Sequence, residues 1–274
     1  DYDGIWASCP AINWTQFLAS GLWAVTVMNE YDHILGFHKI NAFRDAVHNS
    51  VGGKENYFQV EERIDFDPYT ILGQKTKGGK ITEKDCLVMQ EIWKGPHTTG
   101  NDFLWYSFLP GGTFWNKIIP IGSFYYPLIG KRPKCFSLVE QYVHLAFEDP
   151  KKDLLHLKIR DFEKVFDTCI RKLGWLSCDH ADLRPFANAG GKLIIDHGLD
   201  DPLIPVEGTI DYYHHMREIH GGQNFIDRFC RLYINPGDGH GNCHTNGPGM
   251  TESTGIQALM NWVEHNKAPE NLPA

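Results

Sequence analysis

The alternation of apolar and polar positions is clearest toward the C-terminal end of the chain. GGKLIIDHG (190–198) is a run of β-branched residues and leucine between glycines, the pattern of a strand buried on both faces. In PVEGTIDYYHHMREIHGG (205–222), Ile210, Tyr213, Met216 and Ile219 recur one helical turn apart, with Glu207 near the start and Gly221 or Gly222 at the stop. FCRLYINPG (229–237) predicts a second strand, followed by the glycine-rich loop PGDGHGNCHTNGPG (236–249). TESTGIQALMNWVEHNKAPE (251–270) then carries Ile256, Leu259, Met260 and Val263 at amphipathic helical spacing, ending before Pro269. Strand, loop, helix, strand, loop, helix is the order of a parallel sheet with covering helices.

At the N-terminal end, GIWASCPAI (4–12) predicts another buried strand and GLWAVTV (21–27) a short buried element. From there to residue 190 the pattern is less regular. TEKDCLVMQEIWKGP (82–96) predicts one helix there, with Thr82 and Asp85 in capping-box spacing. Turn-rich aromatic segments surround it, FLWYSFLPGGTFW (103–115) and IGSFYYPLIG (121–130). The coarse expectation is an α/β fold whose strands are split by a large insertion.

Composition narrows the functional classes. The 274 residues carry a formal net charge of −8, with Lys and Arg scattered, which argues against a nucleic-acid partner. No apolar run approaches the roughly 18 residues that suggest a membrane span. The seven cysteines (Cys9, Cys86, Cys135, Cys169, Cys178, Cys230 and Cys243) show no C-x-x-C spacing, so a zinc ribbon or redox motif is not expected.

In such sheets functional groups gather in the loops after the carboxyl ends of strands. The first of these loops reads GLDDPLIP and the second holds His240. An aspartate after one strand and a histidine after the next is the second half of the chain order Ser…Asp…His of α/β-hydrolases. The histidine takes a proton from a serine, and the carboxylate holds its tautomer and stabilises the imidazolium. No G-x-S-x-G elbow precedes them. Ser8, in WASCP, lacks the small flanking residues of a strained strand-to-helix turn and is expected to be a packed residue.

Five stretches, in order, resemble the tannase and feruloyl esterase family of α/β-hydrolases. DYDGIWASCPAINWTQ is similar to the family's D-F-D-G-I-x-A-G-A-P-A-x-N-W, and DCLVMQEIWKGPHTTGNDFLWYSF to a lid segment with C-L-T-x-x-Q, G-P and L-W-Y-G. ADLRPFANAGGKLIIDHGLDDPLIPVEGTIDYY resembles D-L-x-x-F-x-x-x-G-G-K-L followed by H-G-x-x-D-x-x-I-P. RLYINPGDGH and LMNWVEHNKAPENLPA resemble R-L-F-x-x-P-G-x-G-H and W-V-E-x-G-x-A-P. The resemblance implies a partial α/β-hydrolase fold, its core at 1–30 and 180–274 and an inserted lid domain at 31–179. It implies serine-type hydrolysis of feruloyl, galloyl or related phenolic esters, without a cofactor. The family's acid falls on Asp201, with Asp200 the runner-up, and its histidine on His240, with His244 the alternative. Without the resemblance, Asp201 reads equally as an N-cap or Asp-Pro turn.

The sequence departs from the family pattern in three places. The family's nucleophile, in a C-S-x-G-G elbow, precedes the stretch matching Asp1, so the expectation is that the serine lies upstream and a missing N-terminal segment or chain completes the fold. The 274-residue polypeptide alone is then expected to be inactive. The family's cysteine directly after the histidine is replaced by Gly241, leaving Cys243 as a candidate for a displaced disulfide. Where relatives carry a calcium loop, RDAVHNSVGGKENYF retains Asp45 at best, with Arg44 replacing a cysteine, so no metal is expected there.

Two competing readings remain at this point. One is a catalytically inactive relative or lid-bearing module that binds phenolic ligands. The other is a zinc site from Asp238, His240, Cys243 and His244, which lacks a remote ligand pair. His214 and His215 read as a solvated helix face. Trp105, Tyr106 and Trp115 are the candidate substrate-lining residues. The Asn13 sequon begins just after a buried strand, which disfavours modification. The family's habit implies a secreted or extracellular protein.

Overall fold

A computed structural model describes residues 2–51, 64–107, 109–112, 136–241 and 251–270, and the account below concerns these. Strand β1 (Gly4–Ser8) opens the chain. Helices α1 (Trp14–Ser20), α2 (Trp23–Glu30) and α3 (Phe37–Val51) follow. A two-residue hairpin, β2 (Lys75–Thr76) and β3 (Gly79–Lys80), precedes α4 (Glu83–Lys94). Then come α5 (Ser137–Phe147), α6 (Ile159–Leu173) and the short α7 (Arg184–Asn188). The C-terminal part runs β4 (Lys192–Gly198), α8 (Val206–Ile219), α9 (Gln223–Ile226), β5 (Cys230–Asn235) and α10 (Glu252–His265).

β1, β4 and β5 form one parallel sheet in the order β1–β4–β5, with Ser8 opposite Asp196 and Asp196 opposite Tyr233. Parallel pairing requires crossovers, and α8 with α9 supplies the one between β4 and β5. On one face of the sheet, Tyr212, Tyr213 and Met216 of α8 bury Leu193, Ile195 and Phe229. On the other, Leu259 and Val263 of α10 close on Gly4, where a Cβ would stand 2.8 Å from Val263. The fold is thus α/β with a mostly parallel sheet.

β4 is buried along nearly its whole length, as its composition predicts. β1 departs from that expectation: Ile5 is 40% exposed. Among the described residues β1 pairs with β4 alone, so one edge lacks the neighbour that buries β4 on both sides. The strand is also shorter than predicted, ending where Cys9 takes φ +44° before Pro10. α10 forms where its spacing places it, but Ile256 and Met260 are exposed. Its buried side runs through Gly255 and Trp262, the indole lying beneath the cations of Lys192 and Arg231 at 5.7 and 5.0 Å.

The stretch between β1 and β4 is far more helical than its pattern suggested. α2 sits in the core, Trp23 to Met28 all buried, and the buried Thr26 hydroxyl is satisfied by donating to Leu22 O at 3.0 Å. α4 carries the expected capping box: Asp85 N–H donates to Thr82 Oγ1 at 3.2 Å and Thr82 N–H to Asp85 Oδ2 at 2.7 Å. The same carboxylate ties α4 to the segment around α3 through His33 at 2.8 Å and Lys39 at 2.5 Å. α6 buries Phe162, Val165, Phe166 and Cys169 in the main core, where Phe162 meets Trp23 edge-on at 5.0 Å.

Candidate active site

The loops leaving β4 and β5 run side by side at the carboxyl end of the sheet. Leu199 N–H donates to Asn235 O, and Asp200 N–H to Asp238 O, both at 2.9 Å. Gly198 makes this approach possible, since a Cβ there would lie 2.4 Å from Asp238 O and 2.5 Å from Gly239 O. Those are backbone atoms that cannot swing aside. His240 is flanked by turns through Gly237 and Gly241, at φ +70° and +65°.

Asp201 stands at the focus of this arrangement. Its Oδ1 accepts from Leu203 N–H at 2.7 Å and Ile204 N–H at 3.0 Å, the local turn that leads the chain into α8. Its Oδ2 lies 2.9 Å from His240 Nδ1 and 3.1 Å from His197 Nε2. The turn contacts and the histidine contacts of this aspartate thus use different oxygens. The carboxylate that meets His240 is that of Asp201. Asp200 is buried beside it.

Burial alone would raise the Asp201 pKa. The hydrogen bonds from His197 and His240 outweigh it and hold the carboxyl well below the usual range. The same bond raises the His240 pKa, against an opposing effect of burial. His240 is half-buried, its side chain 36% exposed, while that of Asp201 is fully enclosed. An ionised acid is thus shielded from water behind an imidazole that reaches the surface. Such a pair orients one ring nitrogen and leaves the other for proton transfer.

His197 was not anticipated from the sequence, although the H-G-x-x-D spacing places it four residues before Asp201. Cys9 Sγ, His197 and Asp201 also form a trio of potential ligand atoms within 4.8 Å of one another. The arrangement suits hydrogen bonds better than a metal. Burial, and then the charge of Asp201, push the Cys9 thiol up to about 11, and both His197 nitrogens already have partners. Of the residues in the competing zinc reading, Asp238 is buried, while Cys243 and His244 lie outside the described residues.

The other candidates are spread more widely. Ser8 donates to Asp196 Oδ2 at 3.1 Å, on the sheet face opposite His197. Trp105 is buried with its ring edge against Gly208 of α8. Tyr106 lines a cavity of about 20 Å³, room for one water, together with Leu203 and Pro205. Trp115 lies outside the described residues. Asp45 sits on α3 paired with Arg44 at 2.5 Å, and His214 and His215 face solvent on α8. Asn13 Nδ2 donates to Gly208 O at 3.2 Å. Cys9, Cys86, Cys169, Cys178 and Cys230 are free thiols, and no disulfide occurs among the described residues.

Comparison with known proteins identifies the family and the fold. The family model described as "Tannase and feruloyl esterase" matches residues 131–274. A protein named "Probable feruloyl esterase" from Arthroderma benhamiae is 29% identical over 294 aligned positions, covering 100% of this chain and 52% of that protein. The tannase of Aspergillus oryzae is 24% identical, covering 75% of this chain and 36% of its own. Among solved structures, the tannin acyl hydrolase from Aspergillus niger superposes with a TM-score of 0.79 at 24% identity, over 99% of this chain and 53% of that one. The chain spans about half the length of the relatives it matches. On the family model and the shared fold, this chain belongs to the tannase and feruloyl esterase family.

Proposed function

We propose that this chain supplies the acid and base of a serine-type carboxylic ester hydrolase acting on phenolic esters. The observation that carries the proposal is the 2.9 Å contact between Asp201 and His240, on loops after adjacent parallel strands. With Asp201 ionised, His240 Nδ1–H donates to it and Nε2 is left bare. That nitrogen takes the proton of a serine hydroxyl as the oxygen attacks the ester carbonyl. It then returns the proton to the departing alkoxide. A water activated by the same nitrogen next cleaves the acyl-serine, releasing the acid and giving the proton back to the serine, while Asp201 stabilises the imidazolium in each half. A fixed anion in a buried site does this more effectively than one in water.

Ser8 is engaged by Asp196, so we place the nucleophile in the part of the relatives' length that this chain does not span. The substrate class follows the relatives' names, feruloyl esterase and tannase. We assign recognition of the aromatic ring to the segment holding Trp105, Tyr106 and Trp115.

The test is hydrolysis of methyl ferulate and methyl gallate by the full-length protein. His240→Ala is expected to lower kcat by about 10⁴-fold or more. In the unsubstituted enzyme, kcat/KM should rise with pH as His240 loses its proton, with the midpoint above the ordinary histidine value of about 6.5. Undiminished turnover by His240→Ala would overturn the proposal.

A further inference from the structure

Asp201 is reached by two imidazoles, and the proposed reaction uses one of them. The other, His197, is wholly buried. Its Nε2 lies 3.1 Å from Asp201 Oδ2, the same oxygen that meets His240, and its Nδ1 lies 2.8 Å from Thr209 Oγ1 on α8. An ionised carboxylate only accepts hydrogen bonds, so His197 Nε2 carries the hydrogen. With Nε2–H as the ring's one hydrogen, Nδ1 is bare and accepts from the buried Thr209 hydroxyl. One tautomer is fixed from both ends.

With Leu203 and Ile204 N–H on Oδ1, and His197 and His240 on Oδ2, all four acceptor positions of Asp201 are filled. Among the described residues, the Cys9 thiol at the end of β1 lies near His197, and Asp196, on the opposite face of β4, interacts with it through charge alone. The thiol keeps its proton at neutral pH and donates it to Gly239 O at 3.7 Å, not to Asp201.

We propose that His197, clamped by Thr209, is a positioning residue for the Asp201–His240 pair: it holds the carboxylate from the side away from His240 and draws part of its charge off that ring. The proposal rests on His240 serving as the base. A base that returns its proton to a leaving group must not hold it too tightly. An Asp201 stripped of one of its four donors would concentrate its charge on His240.

The experiment is an NMR titration of the imidazole rings in labelled full-length protein, with thermal melts as the check on folding. In the unsubstituted protein the ring-nitrogen pattern should show His197 protonated on Nε2 and bare on Nδ1. His197→Leu should raise the His240 pKa by about half a unit to one unit, carrying the acid limb of kcat/KM upward with it. His197→Gln, whose amide nitrogen reaches the place of Nε2, should restore the original value. Thr209→Val should shift it upward by less, and it carries the titration if His197→Leu fails to fold. A proton on His197 Nδ1 would overturn the proposal. So would an unmoved His240 pKa in folded His197→Leu, or a glutamine that fails to rescue. The titration reads the ring itself, so its failure is separate from a failure of His240→Ala to abolish turnover.

Discussion

Among the carboxylates buried by β4 and the loop that leaves it, Asp196 and Asp201 stand five residues apart, and their surroundings differ in kind. Asp196, in the strand, is fully buried among neutral donors: the Trp6 indole N–H and Ser8 hydroxyl from β1, and the Asn235 amide at 3.2 Å from β5. Asp201, in the loop, meets two imidazoles and two backbone N–H groups. Burial raises the pKa of both. At Asp196 burial prevails over its donors and the pKa stays raised, whereas at Asp201 the imidazoles reverse it. The difference teaches that the partners' capacity to carry charge, more than depth, decides whether a buried acid is ionised. Asp196 braces three strands, and Asp201 holds a base.

The largest effect is expected where that distinction is erased at Asp201. Asp201→Asn keeps the shape but removes the charge, and an N–H₂ turned toward His240 Nδ1 makes that nitrogen the acceptor, so kcat should fall by about 10⁴-fold as the wrong histidine tautomer is favoured. Stability should fall with it, by about 2–4 kcal/mol near neutral pH, because charge-assisted hydrogen bonds are lost from an enclosed site. The folded pKa of Asp201 is depressed, so its contribution is present above the unfolded carboxylate value of about 4 and is lost as pH falls through the folded pKa. The gap between Asp201→Asn and the unsubstituted protein in denaturant unfolding should therefore narrow in acid. A gap constant with pH would place the stabilisation elsewhere.

Gly198→Ala should act less severely and separate the two carboxylates mechanically. The added methyl meets Asp238 O and Gly239 O at under 3 Å, which pushes the His240 loop away from the strand end. A cost of about 1–3 kcal/mol is expected for such overpacking. The proton resonance of the His240–Asp201 bond should weaken, while that of the Trp6 indole on Asp196 stays in place. Equal disturbance of both signals would mean that the sheet deforms, not the loop.

The parts of this arrangement legible in the sequence are the local ones. The β4 run, the α8 and α10 periodicities and the Thr82–Asp85 box each declare themselves within a dozen residues. The glycines around His240 and the Asp-Pro turn at Asp201 mark the two loops, and the parallel order brings them together. Phe162, Val165, Phe166, Cys169 and Leu173 carry the spacing of α6 in plain view, within a stretch otherwise read as irregular. What local pattern does not contain is partnership across distance. The Trp6–Asp196 bond spans 190 positions, and a histidine inside an apolar strand reads as core until Thr209 and Asp201 are placed around it. The exposure of Ile5, Ile256 and Met260 has the same origin, since periodicity names a face but not what covers it.

The smallest expected effect, and the one that most sharpens the contrast, is at Asp196. Its folded pKa is raised, so the sign of the linkage is opposite to that of Asp201. Relative to the unfolded chain, its contribution is fully present below about pH 4 and is lost as pH rises through the folded pKa. Above that point the protein keeps a charge in the sheet whose side-chain donors, Trp6, Ser8 and Asn235, are all neutral. Asp196→Asn removes that charge and retains an oxygen for the Trp6 indole. The Ser8 hydroxyl can turn to accept from the new amide, and the Asn235 amide can flip. Stability should thus change by no more than about 1 kcal/mol at pH 4, and should improve relative to the unsubstituted protein as pH rises toward 7. Denaturant unfolding across that range measures the slope. A difference that is flat with pH, or that favours aspartate at pH 7, would show that Asp196 is held ionised as firmly as Asp201, and the distinction drawn from their donors would fail.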